Sequence, residues 1–449
     1  MFYIGLIVIF VACFSLSFFL QDLCVDFYPL DTSTKFSRSG SENICEDGEG
    51  LLSPCHVYLT VPERMDTRMI VNFHTLRETP NPRVYYDVVS HADVPFEVRL
   101  NAYAFSVEAT QIAMTAVHES TRFVAWADLT NLLPNTRYYF IAGNGTNESY
   151  YTQERFFVTA PTVEPYTFSV GGDLGLKQIG YDLLSDAASY DPLFISICGD
   201  LVYDQGMPYC YKRWDVFFQR WDAQVRGSDG RVIPMMTCAG NHEGGWDIYD
   251  PARNAAFLQP YFPHSTGLQE VPVYSRSTIH SHTIGTRTHM IVLDSGHWLR
   301  AEKQVEYLRE QLQKARAEGR FALPTYHVGQ YRSDASARSE DNTMEMRRFW
   351  GPLFDEYNVP LAFEEHDHTY KRTYPLRNGQ AAANGTVYLG DGAIGVDPEA
   401  RGEWKGIFFQ SIGGVRHIGM VTVTLDTIEV NNLNADGDIF DPFIIIPEV

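Results

Sequence analysis

Asp200 and Tyr203 stand together in Gly199-Asp200-Leu201-Val202-Tyr203, directly after the apolar run Leu193-Phe194-Ile195-Ser196-Ile197-Cys198. Such a run reads as a buried strand, and open α/β sheets place their chemistry at the carboxyl ends of strands. An aspartate in that position can bridge two metal ions through its two oxygens. A tyrosine one short turn later offers a phenolate, a hard anionic donor that suits a ferric ion. Four more apolar runs end in comparable groups. Asp173 follows Tyr166 to Val170, Asn241-His242 follow Val232 to Ala239, His327 follows Phe321 to Tyr326, and His366-Asp367-His368 follow Val359 to Phe363. Each has an ordinary structural explanation when taken alone: a helix cap at Asp173, a turn at Asn241-His242, a satisfied core histidine at His327. His366 and His368 are alternate residues of an extended segment, which puts both rings on one side. Five polar strand ends that carry nitrogen and oxygen donors and no thiolate point to a site for two hard ions.

The elements that must position these groups follow from the change of pattern near Tyr166. Beyond it, apolar strands alternate with helical stretches, which predicts an α/β domain. Residues 176–192 leave room for a crossover helix, and Val305, Leu308, Leu312 and Ala315 mark a surface helix over Ala301 to Glu318. Thr288 to Asp294 is another strand. Val387 to Leu389, Ile418 to Leu425 and Thr427 to Val430 are expected to be antiparallel strands that close a second sheet. Upstream, from Leu51 to Pro161, short alternating strands and turns follow one another with no convincing helix. Within them, Leu132-Leu133-Pro134-Asn135-Thr136-Arg137-Tyr138 resembles the Leu-x-Pro-x-Thr-x-Tyr turn of fibronectin type III domains, in which the tyrosine closes a corner between sheets. The expected organisation is an apolar leader over 1–20, an extension over 21–50, a fibronectin III-like β-sandwich over 51–161 and a catalytic domain over 165–449.

The 449-residue chain is 45% apolar, enough for large cores, and its net charge of −21 excludes a general nucleic-acid binder. An anionic substrate would have to be drawn in by local positive charge such as bound metal. Phe2 to Leu20 is almost wholly apolar and reads as a secretory signal, with an uncleaved signal anchor or lipid attachment at Cys13 as alternatives. No membrane contact beyond that segment is expected. Cys45 and Cys55 flank an acidic loop and could close a disulfide; Cys24 and Cys210 could be bridged or free; Cys198 and Cys238, at strand ends, are expected to be buried thiols. Asn144, Asn147 and Asn384 begin glycosylation sequons. Together these features predict export, to the exterior, to an acidic organelle or to a membrane-tethered form.

At the five strand ends the sequence resembles the purple acid phosphatases, within the calcineurin-like metallophosphoesterases. That family's blocks run Asp-x-Gly, Gly-Asp-x-x-Tyr, Gly-Asn-His-Asp/Glu, Val-x-x-His and Gly-His-x-His. Here they stand as Asp173-Leu174-Gly175, Gly199 to Tyr203, Gly240-Asn241-His242-Glu243, Thr325-Tyr326-His327 and Glu365-His366-Asp367-His368. The resemblance implies a metallophosphoesterase fold, a β-sandwich flanked by helices in four αββα layers. It implies a first metal held by Asp173, Asp200, Tyr203 and His368, and a second held by Asp200, Asn241, His327 and His366. The first would be Fe(3+), and the second Fe(2+), Zn(2+) or Mn(2+). His242 would contact phosphate as the catalytic histidine, with Asn241, Glu365 and Asp334 as weaker substrate contacts.

Two departures stand out. Glu365 replaces the glycine of the fifth block. In plant-type members a histidine pair follows the fourth-block histidine by about ten residues, a window that Ser336 and Ala337 fill here. The implied activity is acid hydrolysis of small phosphate monoesters by attack of a metal-bound hydroxide. The rivals are a phosphodiesterase or nucleotide pyrophosphatase on the same site, or a secreted binding module with a degenerate hydrolase domain. The sequence sets no oligomeric state.

Overall fold

The computed structural model describes residues 53–447 apart from 115–121, 146, 245–255, 265–271, 273–274, 335–339, 391 and 400–408. The upstream module holds β1 (Cys55–Thr60), β2 (Met69–Thr75), β3 (Arg83–Asp87), β4 (Phe105–Glu108), β5 (Thr110–Ala113), β6 (Phe123–Leu129), β7 (Arg137–Gly143) and β8 (Arg155–Val158). Strands β4-β3-β7-β8 form one antiparallel sheet. It faces β1-β2-β6-β5 across a core that includes Val57, Phe73, Val84, Phe140 and Phe157. The corner tyrosine is Tyr138, whose hydroxyl accepts the Leu133 N–H at 2.9 Å. One expectation fails here. Phe96–Ala102 is a helix, entered through Pro95, and none of its residues is buried. A short surface helix without a core face leaves no apolar period to read.

The catalytic half adds β9 (Tyr166–Gly171), β10 (Ile195–Cys198), β11 (Met235–Cys238), β12 (His280–Ile284), β13 (Thr288–Val292), β14 (Phe321–Val328) and β15 (Leu361–Glu365). After them come β16 (Tyr370–Thr373), the short hairpin β17 (Leu376–Arg377) and β18 (Gln380–Ala381), then β19 (Val387–Gly390) and β20 (Phe409–Gly413). Strands β21 (His417–Val423), β22 (Ile428–Asn434) and β23 (Ile439–Ile445) end the chain's sheet structure. One sheet runs β23-β22-β21-β9-β10-β11-β1-β2-β6-β5, and a second runs β12-β13-β14-β15-β19-β16-β20.

The two sheets pack face to face, with Phe168, Phe194 and Met236 against Met290, Leu323 and Phe363. Helices Gln178–Ser189 and Tyr211–Gln224 cover the first sheet through Leu183, Leu184, Trp214, Phe217 and Phe218. Helices Val305–Ala317 and Asp341–Phe349 cover the second through Leu308, Leu312 and Met346. The expected αββα layering is present.

The strand assignment needs correction at the carboxyl end. Strands β21 and β22 extend the first sheet, antiparallel beside β9, while β19 lies parallel to β15 in the second. Apolar content fixed the strands but not their partners, which depend on the crossovers. The two halves also share a sheet, because β1 pairs parallel with β11 at Thr60 and Met235.

A second correction concerns cysteine. Cys198 and Cys238 form a disulfide, with Cα atoms 4.6 Å apart in register on the parallel strands β10 and β11. Strand ends become neighbours only once register is set, so the sequence could not pair them. Cys55 and Cys210 each take part in a further disulfide, while Cys13, Cys24 and Cys45 lie outside the described residues, as does the apolar leader. Among the described residues no helix is long and apolar enough to cross a membrane. Of the sequon asparagines, Asn144 is buried, whereas Asn147 and Asn384 are exposed.

Candidate metal centre

Strands β9, β10, β11, β14 and β15 deliver their carboxyl ends to one place, and the chain turns sharply there. Asp173, Asp200, Tyr203, His366 and His368 all hold positive φ, between 50° and 79°. For a residue with a Cβ this conformation costs roughly 1–2 kcal/mol each. Five such residues in one site mark a constraint that the surrounding packing must hold in place. Two glycines make the approach possible. A Cβ on Gly199, at φ 90°, would lie 2.5 Å from His327 Nδ1, and one on Gly240 would lie 2.4 Å from the Asp200 amide nitrogen.

The seven candidate ligands form two groups. In the first, Tyr203 Oη lies 3.1 Å from Asp173 Oδ1 and 3.2 Å from His368 Nε2, which is itself 3.0 Å from Asp173 Oδ1. In the second, His327 Nε2 lies 3.0 Å from Asn241 Oδ1, 3.3 Å from Asp200 Oδ1 and 3.3 Å from His366 Nδ1. Asp200 belongs to both: one set of ligand atoms comes from Asp200, His327 and His366, the other from Asp173, Asp200 and His368. Its Oδ2 is buried and makes no hydrogen bond among the described residues.

The donor chemistry of the second group fits a cation. His327 Nδ1–H donates to the Cys198 carbonyl at 2.9 Å, which leaves Nε2 with its lone pair facing the oxygens of Asn241 and Asp200 and the ring of His366. Lone pairs gathered this closely repel unless a proton or metal ion lies among them. The electrostatics point the same way. Burial opposes charge on the His327 ring, yet Asp200 and Asp173 outweigh it and push its pKa up to about 10. Burial likewise opposes charge on His368, which Asp173 raises. Each shift records a negative field that a bound cation would also satisfy.

A supporting shell fixes the ligands. The Glu243 carboxylate accepts the N–H groups of Asp200, Leu201 and Gly240 at 2.8, 2.7 and 2.9 Å, locking the turn that aims Asp200. Asp173 Oδ2 accepts the His366 N–H at 2.9 Å. Asp367 accepts from Arg332 and Ser333, tying the His366–His368 turn to the segment after β14. In the sequence Glu243 stands within the third block with no role of its own, and Gln205 and Arg332 belong to no block. Their signal is weak, because each acts through backbone groups or through another side chain.

His242 sits beside this cluster, its ring centroid 4.4 Å from that of Tyr203. The Gln205 amide donates to its Nδ1 at 2.6 Å. This fixes the tautomer with the proton on Nε2, which lies 3.7 Å from Asp200 Oδ2. Burial holds the ring's pKa below the usual histidine value, against the pull of Asp200 and Asp173. Glu365 is buried with its Cγ packed where a Gly172 side chain would be. The Asp334 N–H lies 3.4 Å from Asp367 Oδ2. Ser336 and Ala337 lie outside the described residues.

Residues 54–159 match the family model "Purple acid Phosphatase, N-terminal domain", and residues 175–370 match "Calcineurin-like phosphoesterase". A purple acid phosphatase of Glycine max is 27% identical over 345 residues, covering 73% of this chain and 68% of that protein. A phosphoenolpyruvate phosphatase of Allium cepa is 25% identical over 335 residues, covering 73% and 64%. The chain thus spans about two thirds of the length of these two relatives. Among solved structures, a purple acid phosphatase from yellow lupin seeds superposes with a TM-score of 0.72 at 15% identity, over 88% of this chain and 74% of that one. PhoD superposes with 0.64 at 12% identity, over 85% and 86%. At such identities the likeness is one of fold.

Proposed function

The chain belongs to the purple acid phosphatases of the calcineurin-like phosphoesterases, and from that premise we propose that it hydrolyses phosphate monoesters at a binuclear metal centre. The observation that carries this reading is Asp200 standing in both ligand groups, as a bridging carboxylate would. Asp173, Asp200, Tyr203 and His368 would hold one ion, ferric in keeping with the phenolate. Asp200, Asn241, His327 and His366 would hold the other, as Fe(2+), Zn(2+) or Mn(2+). Bound there, the pair would supply Lewis acidity, neutralising phosphoryl oxygens and lowering the pKa of water.

The protein's own groups set the rest. His242, oriented by Gln205, presents Nε2–H as a donor for a phosphoryl or leaving-group oxygen. Asn241 adds a polar amide at the same face, and Glu243 keeps Asp200 from swinging away. The disulfide at Cys198–Cys238, together with bonded Cys55 and Cys210, supports an oxidising compartment and so secretion.

Metal analysis of the purified protein, with turnover of a monoester and a bis-ester compared from pH 4 to 8, tests the proposal. Two equivalents of metal and monoester preference at acid pH are expected. Faster turnover of the bis-ester would reassign the protein as a phosphodiesterase, and metal-free, inactive protein would remove the reading altogether.

A further inference from the structure

His297 occupies a loop to which neither the ligand set nor the family blocks extend. It follows β13 through Asp294, whose carboxylate gathers the loop. Asp294 Oδ1 accepts the N–H groups of Gly296 and His297 at 2.9 and 2.8 Å, and Oδ2 accepts that of Leu299 at 3.1 Å and the Thr278 hydroxyl at 2.8 Å. The loop is also fastened to the strand that carries His327, because Ser295 Oγ accepts the Val328 N–H at 3.0 Å. The His297 ring is thereby held with its centroid 6.2 Å from that of His327, tilted by 57°. Trp298 packs beside it, with ring centroids 6.1 Å apart.

The anomaly is at Nε2. This nitrogen is buried and makes no hydrogen bond among the described residues. Buried polar side-chain atoms nearly always find a partner, and a residue kept only for packing would be apolar. The charged and titratable groups that act on the ring are His327, Asp200 and His242, which come from three other strand ends. The ring thus lies at the edge of the centre, packed against that of His327. Resting on the phosphatase reading, we propose that His297 is a substrate-contacting residue whose Nε2–H donates to a phosphoryl oxygen on the Asn241–His327 side of the centre. No proton is transferred: the contact is a hydrogen bond to bound phosphate, complementary to the one from His242.

The test uses metal-loaded full-length protein and inorganic phosphate as the probe, with His297→Ala and His297→Gln as variants. Glutamine can return an N–H donor near the position of Nε2. Calorimetric phosphate binding, monoester KM and kcat, and metal content are measured together. His297→Ala should weaken phosphate binding and raise KM on the order of tenfold or more, as loss of a hydrogen bond to a charged group does. Metal content should remain that of wild type, and His297→Gln should recover most of the loss. Unchanged phosphate affinity in a folded, metal-replete His297→Ala protein would overturn the assignment while leaving the phosphatase reading intact. Loss of metal from both variants would instead make His297 part of the metal's support. Failure of the loaded wild type to bind phosphate or turn over ester would remove both readings.

Discussion

Cys198 and Cys238 are joined by a disulfide directly below the turns that present Asp200 and Asn241, and the Cys198 carbonyl also accepts from His327 Nδ1. One covalent tie therefore underlies three ligands of the second group. It closes a 40-residue loop, for which chain entropy gives a stabilisation of about 4 kcal/mol. Cys198→Ala/Cys238→Ala is expected to melt earlier and to hold the second metal more weakly than the first. Calorimetry and metal titration check this. Unaltered metal affinity with a lowered Tm would limit the disulfide to a stabilising role.

Tyr203 distinguishes the first metal from the second. Its hydroxyl is within 3.2 Å of both Asp173 and His368, so Tyr203→Phe removes one ligand and keeps the ring against His242. The visible absorption expected of an iron–phenolate centre should vanish, while the second metal stays bound. His368→Ala should abolish both colour and turnover. Colour that persists in Tyr203→Phe would show that no phenolate binds the iron.

Glu243 is a positioning residue, since its carboxylate serves the backbone of Asp200, Leu201 and Gly240. In Glu243→Gln an amide NH2 would face an N–H donor, losing one hydrogen bond and leaving a buried donor unpaired, a cost of about 1–3 kcal/mol. Asp200 would then lose its fixed orientation. Lower Tm, weaker metal binding and reduced kcat with nearly constant KM are expected. A wild-type kcat would show that the turn holds Asp200 without this support.

These residues differ in how far the sequence exposed them. Asp173, Asp200, Asn241, His327 and His366 were legible because each is a polar group released by an apolar run, and strand ends of a buried sheet are forced together. The strand expected over Thr288 to Asp294 also ends in a polar group, and the same rule extended three residues beyond it reaches His297. The disulfide, the pairing of β1 with β11 and the placement of β21 and β22 could not be read. Each depends on register and crossover, which local composition does not encode. The helix at Phe96–Ala102 was hidden for the opposite reason: it buries nothing, so no period betrays it.

The buried histidines away from the metal centre set the behaviour of the fold in acid. His264 Nδ1–H donates to the Val61 carbonyl at 3.2 Å, and its Nε2 accepts the Thr237 N–H at 3.2 Å, so it is satisfied only as a neutral ring. Burial, helped by His282, holds it down to about 3. His289 is held down to about 4, chiefly by burial. Their folded pKa values lie below the unfolded value, so the stability they confer is complete above about pH 6.5 and is lost as pH falls towards 4. Each contributes a slope of up to about 1.4 kcal/mol per pH unit in that window. Asp204 acts in the opposite sense. Burial raises it to about 7, so its penalty grows as pH rises from about 4 and levels off near neutrality. Unfolding free energy measured between pH 4 and 7 should therefore fall towards acid, less steeply in His264→Gln and more steeply in Asp204→Asn. His264 joins Val61 of the upstream module to β11 of the catalytic half, so His264→Gln should also weaken the seam between the modules at neutral pH. A pH slope identical in all three proteins would show that these groups stay solvated.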